Sequence, residues 1–199
     1  MKDKIKSHWD KIAKQLGTNP KANMADQVVV KKENNALLAY IRDGDNVLDI
    51  GCANGTSTLW LAKKKKIYIK GIDISEEMIT KAIQKRNDLL ENNRINGKVD
   101  FAVQDITQRY CDKMLYEKII SKRAIINLTN WDMQLKAIRS LSQFLKRDGL
   151  IVLVEDSIQS WKKLNELRSE WGLEEIPVPW HNQYIDEDKI INETKDIFE

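Results

Sequence analysis

Short β-branched runs alternate along this chain with longer stretches in which apolar residues recur at helical spacing, and that alternation predicts the architecture before any chemistry is considered. The runs NVLDI (46–50), KIYIKGIDI (66–74), KVDFAVQDI (98–106), YEKIISKR (116–123) and LIVLVED (150–156) read as strands. After Ser75, the residues Ile79, Ala82, Ile83, Arg86, Leu89 and Leu90 recur at helical spacing. Ser75 suits its N-cap, and Glu76 and Glu77 suit its positive end. Trp131, Leu135, Ile138, Leu141 and Leu145 make a second stripe, predicted to run from Trp131 to Lys146 and to stop near Gly149. Further helices are expected near 26–41 and in the final stretch DEDKIINETKDIFE.

Repeated strand, helix, strand units imply right-handed crossovers, a parallel sheet and a ligand crevice at the carboxyl ends of the strands. The predicted fold is therefore α/β, a Rossmann-like parallel sheet of about five strands with flanking helices. Three parts are expected: an N-terminal helical cap (1–45), the sheet core (46–156), and a C-terminal helix with an acceptor lid (157–199).

Composition narrows the function classes. A chain of 199 residues that is 42% hydrophobic can bury a sizeable core as one domain. The formal charge of +3 on a chain that is 32% charged argues for neither nucleic acid nor an anionic membrane as main partner. Cys52 and Cys111 have no His or Cys neighbours at ligand spacing, so no disulfide framework or metal site is expected, and a reducing cytoplasm fits. No apolar run is long enough for a membrane span. The lysines at 63–66 read as a solvated helix end.

The chemistry begins at VLDIGCANG, residues 47–55, where an acid and two glycines follow a buried strand. A dinucleotide turn wants G-x-G-x-x-G; here the matching positions are Gly51, Ala53 and Thr56. Gly51 and Gly55 instead flank a looser turn, suited to a ligand without a pyrophosphate. Asp73 lies about 20 residues on, at the end of the second strand, where an acid accepts from both ribose hydroxyls. Taken singly, Asp49 reads as a turn cap, and Asp73 and Asp105 as solvated strand ends; together they favour a nucleoside cofactor.

VLDIGCANG, GIDIS and QDI in this order resemble the first three binding motifs of class I S-adenosylmethionine-dependent methyltransferases. The resemblance covers nearly the whole chain. It implies that Asp49, Gly51, Ala53 and Asn54 surround the methionine end of S-adenosylmethionine, that Asp73 binds the ribose, that Ile74 packs on adenine, and that Asp105 and Ile106 hold the adenine edge. Ser121 joins this cofactor set, and Trp9 is its lid residue. The family usually has glycine where Ala53 stands. The product would be S-adenosylhomocysteine.

The same resemblance places the acceptor beside segments outside these motifs. Pro177 and Pro179 break helix and present Trp180, His181, Asn182 and Tyr184 together. His181 is read as a general base or acceptor-binding group, and equally as a hydrogen-bonding loop residue. Arg123 and Asn127 are expected beside the transferable methyl, with Arg123 alternatively holding a carboxylate such as Glu155. Arg123 and His181 form the catalytic pair of this reading, with Asn127, Arg168, Asn182 and Tyr184 binding substrate. Arg123, Arg168 and His181 are expected to grip an anionic acceptor, since Arg offers a fork to phosphate or carboxylate oxygens. The layout is similar to methyltransferases of bacterial surface-polysaccharide pathways, which implies methyl transfer to oxygen of a small or glycan-linked acceptor of phosphate or phosphoramidate type. An RNA methyltransferase and a non-catalytic cofactor-binding protein are the rival readings. The family also ends in a strand hairpin that is missing here, so the fifth strand is expected as an open sheet edge in a truncated form. That edge suits a homodimer or capping by the terminal helix.

Overall fold

The computed structural model describes residues 2–108, 112 and 114–198. Five parallel strands, β1 (Asn46–Ile50), β2 (Tyr68–Asp73), β3 (Lys98–Val103), β4 (Tyr116–Lys122) and β5 (Leu145–Val154), form one sheet in the order β3-β2-β1-β4-β5. This is the expected Rossmann-like sheet. Its register sets Asp49 beside Gly71 and Ile120, which puts the exits of β1, β2 and β4 at one end. β5 is the outermost strand on its side among the described residues.

Alternation along the strands sends neighbouring residues to opposite faces. Leu48, Ile72 and Ile119 pack with Ala137, Ile138 and Leu141 of α5 (Trp131–Ser142). Val47, Ile69 and Ile120 face the other way, onto Leu37 of α2 (Gln27–Tyr40) and Leu59, Leu61 and Ala62 of α3 (Thr56–Lys64). Ser75 caps α4 (Glu76–Glu91) as its position suggests, accepting from Met78 N at 3.1 Å.

The second helical stripe ends early. α5 stops at Ser142 and β5 already begins at Leu145, so Leu145 belongs to the sheet. The pairing jumps from Tyr116 with Leu145 to Lys118 with Leu150, and Asp148, at φ 63°, and Gly149 form the bulge between them. A bulge in the strand masks its period-2 signal, while Leu145 alone satisfies the helical one.

At the N-terminus α1 (Lys2–Leu16) lies along α4, with Ala13 and Met78 buried together and Ser75 Oγ donating to Asp10 at 2.6 Å. After β5 come α6 (Ile158–Glu170) and α7 (Glu187–Thr194). α7 packs on α5, where Trp131 Nε1 donates to Glu193 at 2.8 Å and Arg139 pairs with Asp196 at 2.7 Å. No helix among the described residues is long and apolar enough to cross a membrane.

Candidate active site

The carboxyl ends of the strands open into one cavity of about 650 Å³. Asp49, Gly51 and Ala53 line it from the β1 exit, Asp73 and Ile74 from β2, and Asp105 and Ile106 from just beyond β3. Lys122, Arg123 and Asn127 come from the β4 exit, and Asp156 from β5.

Backbone shape dictates the residue types at the first turn. Gly51 has φ 65°, and a Cβ there would collide with the Ala124 side chain. Gly55, at φ 72°, lies against the Phe101 ring, 2.7 Å from where its Cβ would be. Ala53 is also left-handed, at φ 46°, a position that costs an L-residue and more usually takes glycine. Its methyl packs against the small cluster formed by Ala13, Ala22 and Met78.

The acids of the turn are held by directed hydrogen bonds. Asp73 accepts from Ala53 N at 2.9 Å through one oxygen and from Ser75 N at 2.8 Å through the other. Desolvation nonetheless pushes its pKa up to about 6, against these two donors. Asp49 accepts from Thr58 Oγ1 at 2.5 Å, and burial lifts it to about 6 as well. Two carboxylates with raised pKa values, Asp49 buried and Asp73 half-buried, make a wall that favours a ligand bringing hydroxyl donors or positive charge. Asp105 differs. Burial works against its ionisation, but Lys2 and the Thr107 backbone and side chain outweigh it and hold the carboxyl below its ordinary value.

The β4 and β5 side of the cavity is bridged by α1. Trp9 Nε1 donates to Asn127 Oδ1 at 3.0 Å, and Asn127 Nδ2 donates to Arg123 O at 2.8 Å. His8 stacks on His181 at 4.9 Å between ring centroids, and Trp9 and Trp180 meet the His181 ring edge-on. Burial, then the neighbouring His8, lowers the His181 pKa, so its imidazole is neutral at physiological pH. His181, Asn182 and Tyr184 all line the cavity.

Three expected site residues stand elsewhere. Asn54 is fully buried and turned away from the cavity, donating to Gly17 O at 3.1 Å and Asn19 O at 2.9 Å while accepting from Thr56. Ser121 points to the interior, and its hydroxyl donates to Glu155 at 2.6 Å. Arg168 sits on α6, outside the cavity, and donates to Glu174 O at 2.7 Å. Arg123 does line the cavity, but its guanidinium pairs with Glu33 of α2 and not with Glu155. The anion grip expected from Arg123, Arg168 and His181 is therefore not assembled: one arginine is elsewhere and the other is neutralised.

The partners that shape the β4 exit carried no signal in the sequence. Glu155 accepts from Ser121 and from the backbone N–H groups of Ala124, Ile125 and Ile126, each at 3.2 Å, and so shapes the β4 exit loop. Lys122 reaches Asn34 at 3.0 Å, with Ser57 and Glu33 beside it. Cys52 is buried and its thiol is pushed up by desolvation, as befits a packing residue. Cys111 lies outside the described residues.

An α/β sheet whose strand ends bring these acids and glycines around one open cavity has the layout of a Rossmann-like nucleoside-cofactor protein. A family model described as methyltransferase domain matches residues 41–195. The chain belongs to this family, whose cofactor is S-adenosylmethionine. It is similar in sequence to a probable (S)-tetrahydroprotoberberine N-methyltransferase of Papaver bracteatum, 33% identical over 57% of this chain and 29% of that protein. A carboxy-S-adenosyl-L-methionine synthase of Nautilia profundicola is 31% identical over 66% of this chain and 53% of that one. The chain thus spans about half or less of these curated relatives. In fold it resembles the magnesium protoporphyrin IX methyltransferase of Synechocystis crystallised with bound SAH, with TM-score 0.65, 21% identity, and 85% and 73% of the two chains covered.

Proposed function

We propose that this protein transfers a methyl group from S-adenosylmethionine to a small molecule held in the cavity, at an oxygen or nitrogen that carries a proton. The observation behind this reading is the convergence of Asp49, Gly51, Asp73 and Asp105 on one cavity whose far wall is His181, Asn182 and Tyr184. Asp73 would take the ribose hydroxyls, Ile74 and Ile106 the adenine faces, and Asp105 the adenine edge. Gly51 and Ala53 would admit the methionine end, with Asp49 near the sulfonium. When bound, the cofactor supplies an electrophilic methyl that needs no further activation.

What remains for the chain is orientation, exclusion of water and disposal of a proton. Trp9, hydrogen bonded to Asn127, closes the cavity over the acceptor. His181, kept neutral, is the group able to receive a proton, in keeping with a general base. A phosphate-type acceptor on a polysaccharide is not retained, because Arg123 is matched by Glu33 and Arg168 is outside the cavity. The names of relatives support small molecules instead: alkaloid N-methyltransferases, and phosphoethanolamine N-methyltransferase 1 of Arabidopsis thaliana. Calorimetry with S-adenosylhomocysteine, followed by a mass-spectrometric screen for acceptors that gain one CH2, tests the reading. Absence of any S-adenosylhomocysteine binding would refute it.

A further inference from the structure

Independently of the methyl-transfer reading, we infer that α6 is a self-association surface, pairing antiparallel with α6 of a second copy of this chain about a twofold axis beside Asn165 and Glu166. α6 buries none of its residues. The segment after it folds back over one side only. There Trp161 Nε1 donates to Ile176 O at 2.7 Å, Asn165 Oδ1 accepts from Ile176 N at 2.9 Å, and Arg168 Nε donates to Glu174 O at 2.7 Å. About a quarter turn around the helix from that side, Leu164, Leu167 and Trp171 recur at helical spacing and share one face, Trp171 as the C-cap. They are 46%, 53% and 77% exposed, and Trp171 is the most exposed large hydrophobic residue described. A bare tryptophan beside two leucines has the composition of an interface anchor.

The charges flanking this stripe select the partner. In heptad terms Leu164 and Trp171 stand at a and Leu167 at d, which puts Lys163 and Glu170 both at g and Arg168 at e. Lys163 and Glu170 are exposed. An antiparallel pair sets g against g, so Lys163 of each copy meets Glu170 of the other, once on either side of the axis. A parallel pair would set g against e, and Lys163 would meet Arg168, like against like. In the antiparallel register Leu164 of one copy lies on Leu167 of the other, and Trp171 lies over Ser160, whose small side chain leaves room for an indole. The helix dipoles also oppose.

Area is sufficient. At these exposures Trp171 offers roughly 150–200 Å² and each leucine roughly 80 Å², so two copies bring together roughly 600–700 Å² of apolar side chain. Interfaces are a little over half apolar, which makes the whole contact about 1,100–1,200 Å², at the lower edge of specific complexes. Such a dimer dissociates on dilution.

Sedimentation velocity on the full chain, from about 1 to 200 µM, tests this and should show a monomer–dimer equilibrium within that range. Leu167→Glu should weaken the dimer at least about a hundredfold, because the axis applies the change twice. Lys163→Glu should weaken it about tenfold by setting acid against acid, and adding Glu170→Lys to it should restore the parent affinity. All three side chains are exposed, so the melting temperature should stay at the parent value and separate loss of pairing from loss of fold. A monomer at every concentration, or a dimer indifferent to Leu167→Glu and so held elsewhere, such as at the β5 edge, would overturn the inference. So would a dimer tightened by Lys163→Glu, which a parallel pair predicts, or a charge exchange that restores nothing.

Discussion

Asn54→Ala removes a side chain that stands next to the cofactor turn but does not face the cavity. Its amide donates to Gly17 O and Asn19 O and accepts from Thr56 Oγ1 at 2.7 Å, all from a fully buried position. Asn19 O keeps a second partner in Ala22 N at 3.0 Å, and Thr56 Oγ1 keeps Lys85. Gly17 O is left with no partner, at about 1–3 kcal/mol, and the two other lost bonds add about 0.5–1.5 kcal/mol each. The sum is about 2–6 kcal/mol, which for a domain of this length lowers the melting temperature by roughly 4–24 °C. Calorimetric melting should show that drop. Limited proteolysis should show earlier cleavage within residues 1–25, because these bonds tie that segment to the turn. Cofactor affinity should fall by less than the stability does. A melting temperature within about 2 °C of the parent would refute the accounting, and a large affinity loss in a fully stable variant would return Asn54 to the cofactor contacts.

Three further outcomes are expected. Asp73→Ala leaves Ala53 N and Ser75 N without their acceptor and should weaken S-adenosylhomocysteine binding by about 1–3 kcal/mol or more, read by calorimetry. Gly51→Ala forces a left-handed alanine against Ala124, and should cost about 1–2 kcal/mol from the backbone alone, with the clash added, seen in denaturant melts. If His181 receives the proton, its lowered pKa means that the neutral, active form persists down through the ordinary histidine range. The acid limb of the rate should then lie at lower pH than an ordinary imidazole would give, and His181→Ala should abolish it.

The gathering of these acids and glycines at the strand ends was legible because its signals are local. Strand, turn and acid follow one another within a few residues at 47–55 and again at 72–75, and the fold then brings the ends together. The acceptor half was not, because its partners are distant in sequence. Arg123 and Glu33 are 90 residues apart, and no spacing rule announces that one will neutralise the other. Ser121 lost its expected role to Glu155, 34 residues on, for the same reason. Asn54 stood in the right motif, yet a side chain one position past the left-handed Ala53 turns inward, and the N-terminal carbonyls that receive it could not be foreseen. Arg168 was placed by the chemistry of its guanidinium alone, and α6 buries none of its residues.

The strand order has an evolutionary consequence. With β1 central, the residues proposed for the cofactor come from β1, β2 and the β3 exit, while those proposed for the acceptor come from the β4 exit, the β5 exit and the loop at 179–184. The two groups meet at the pairing of β1 with β4 and, among the described residues, are linked mainly by the reach of α1 across both. Changes in the loops at 123–127 and 179–184 can therefore accumulate without disturbing Asp49 or Asp73, and under the proposed function substrate preference can drift while the cofactor residues stay the same. A mutational library confined to those two loops is the economical way to redirect it.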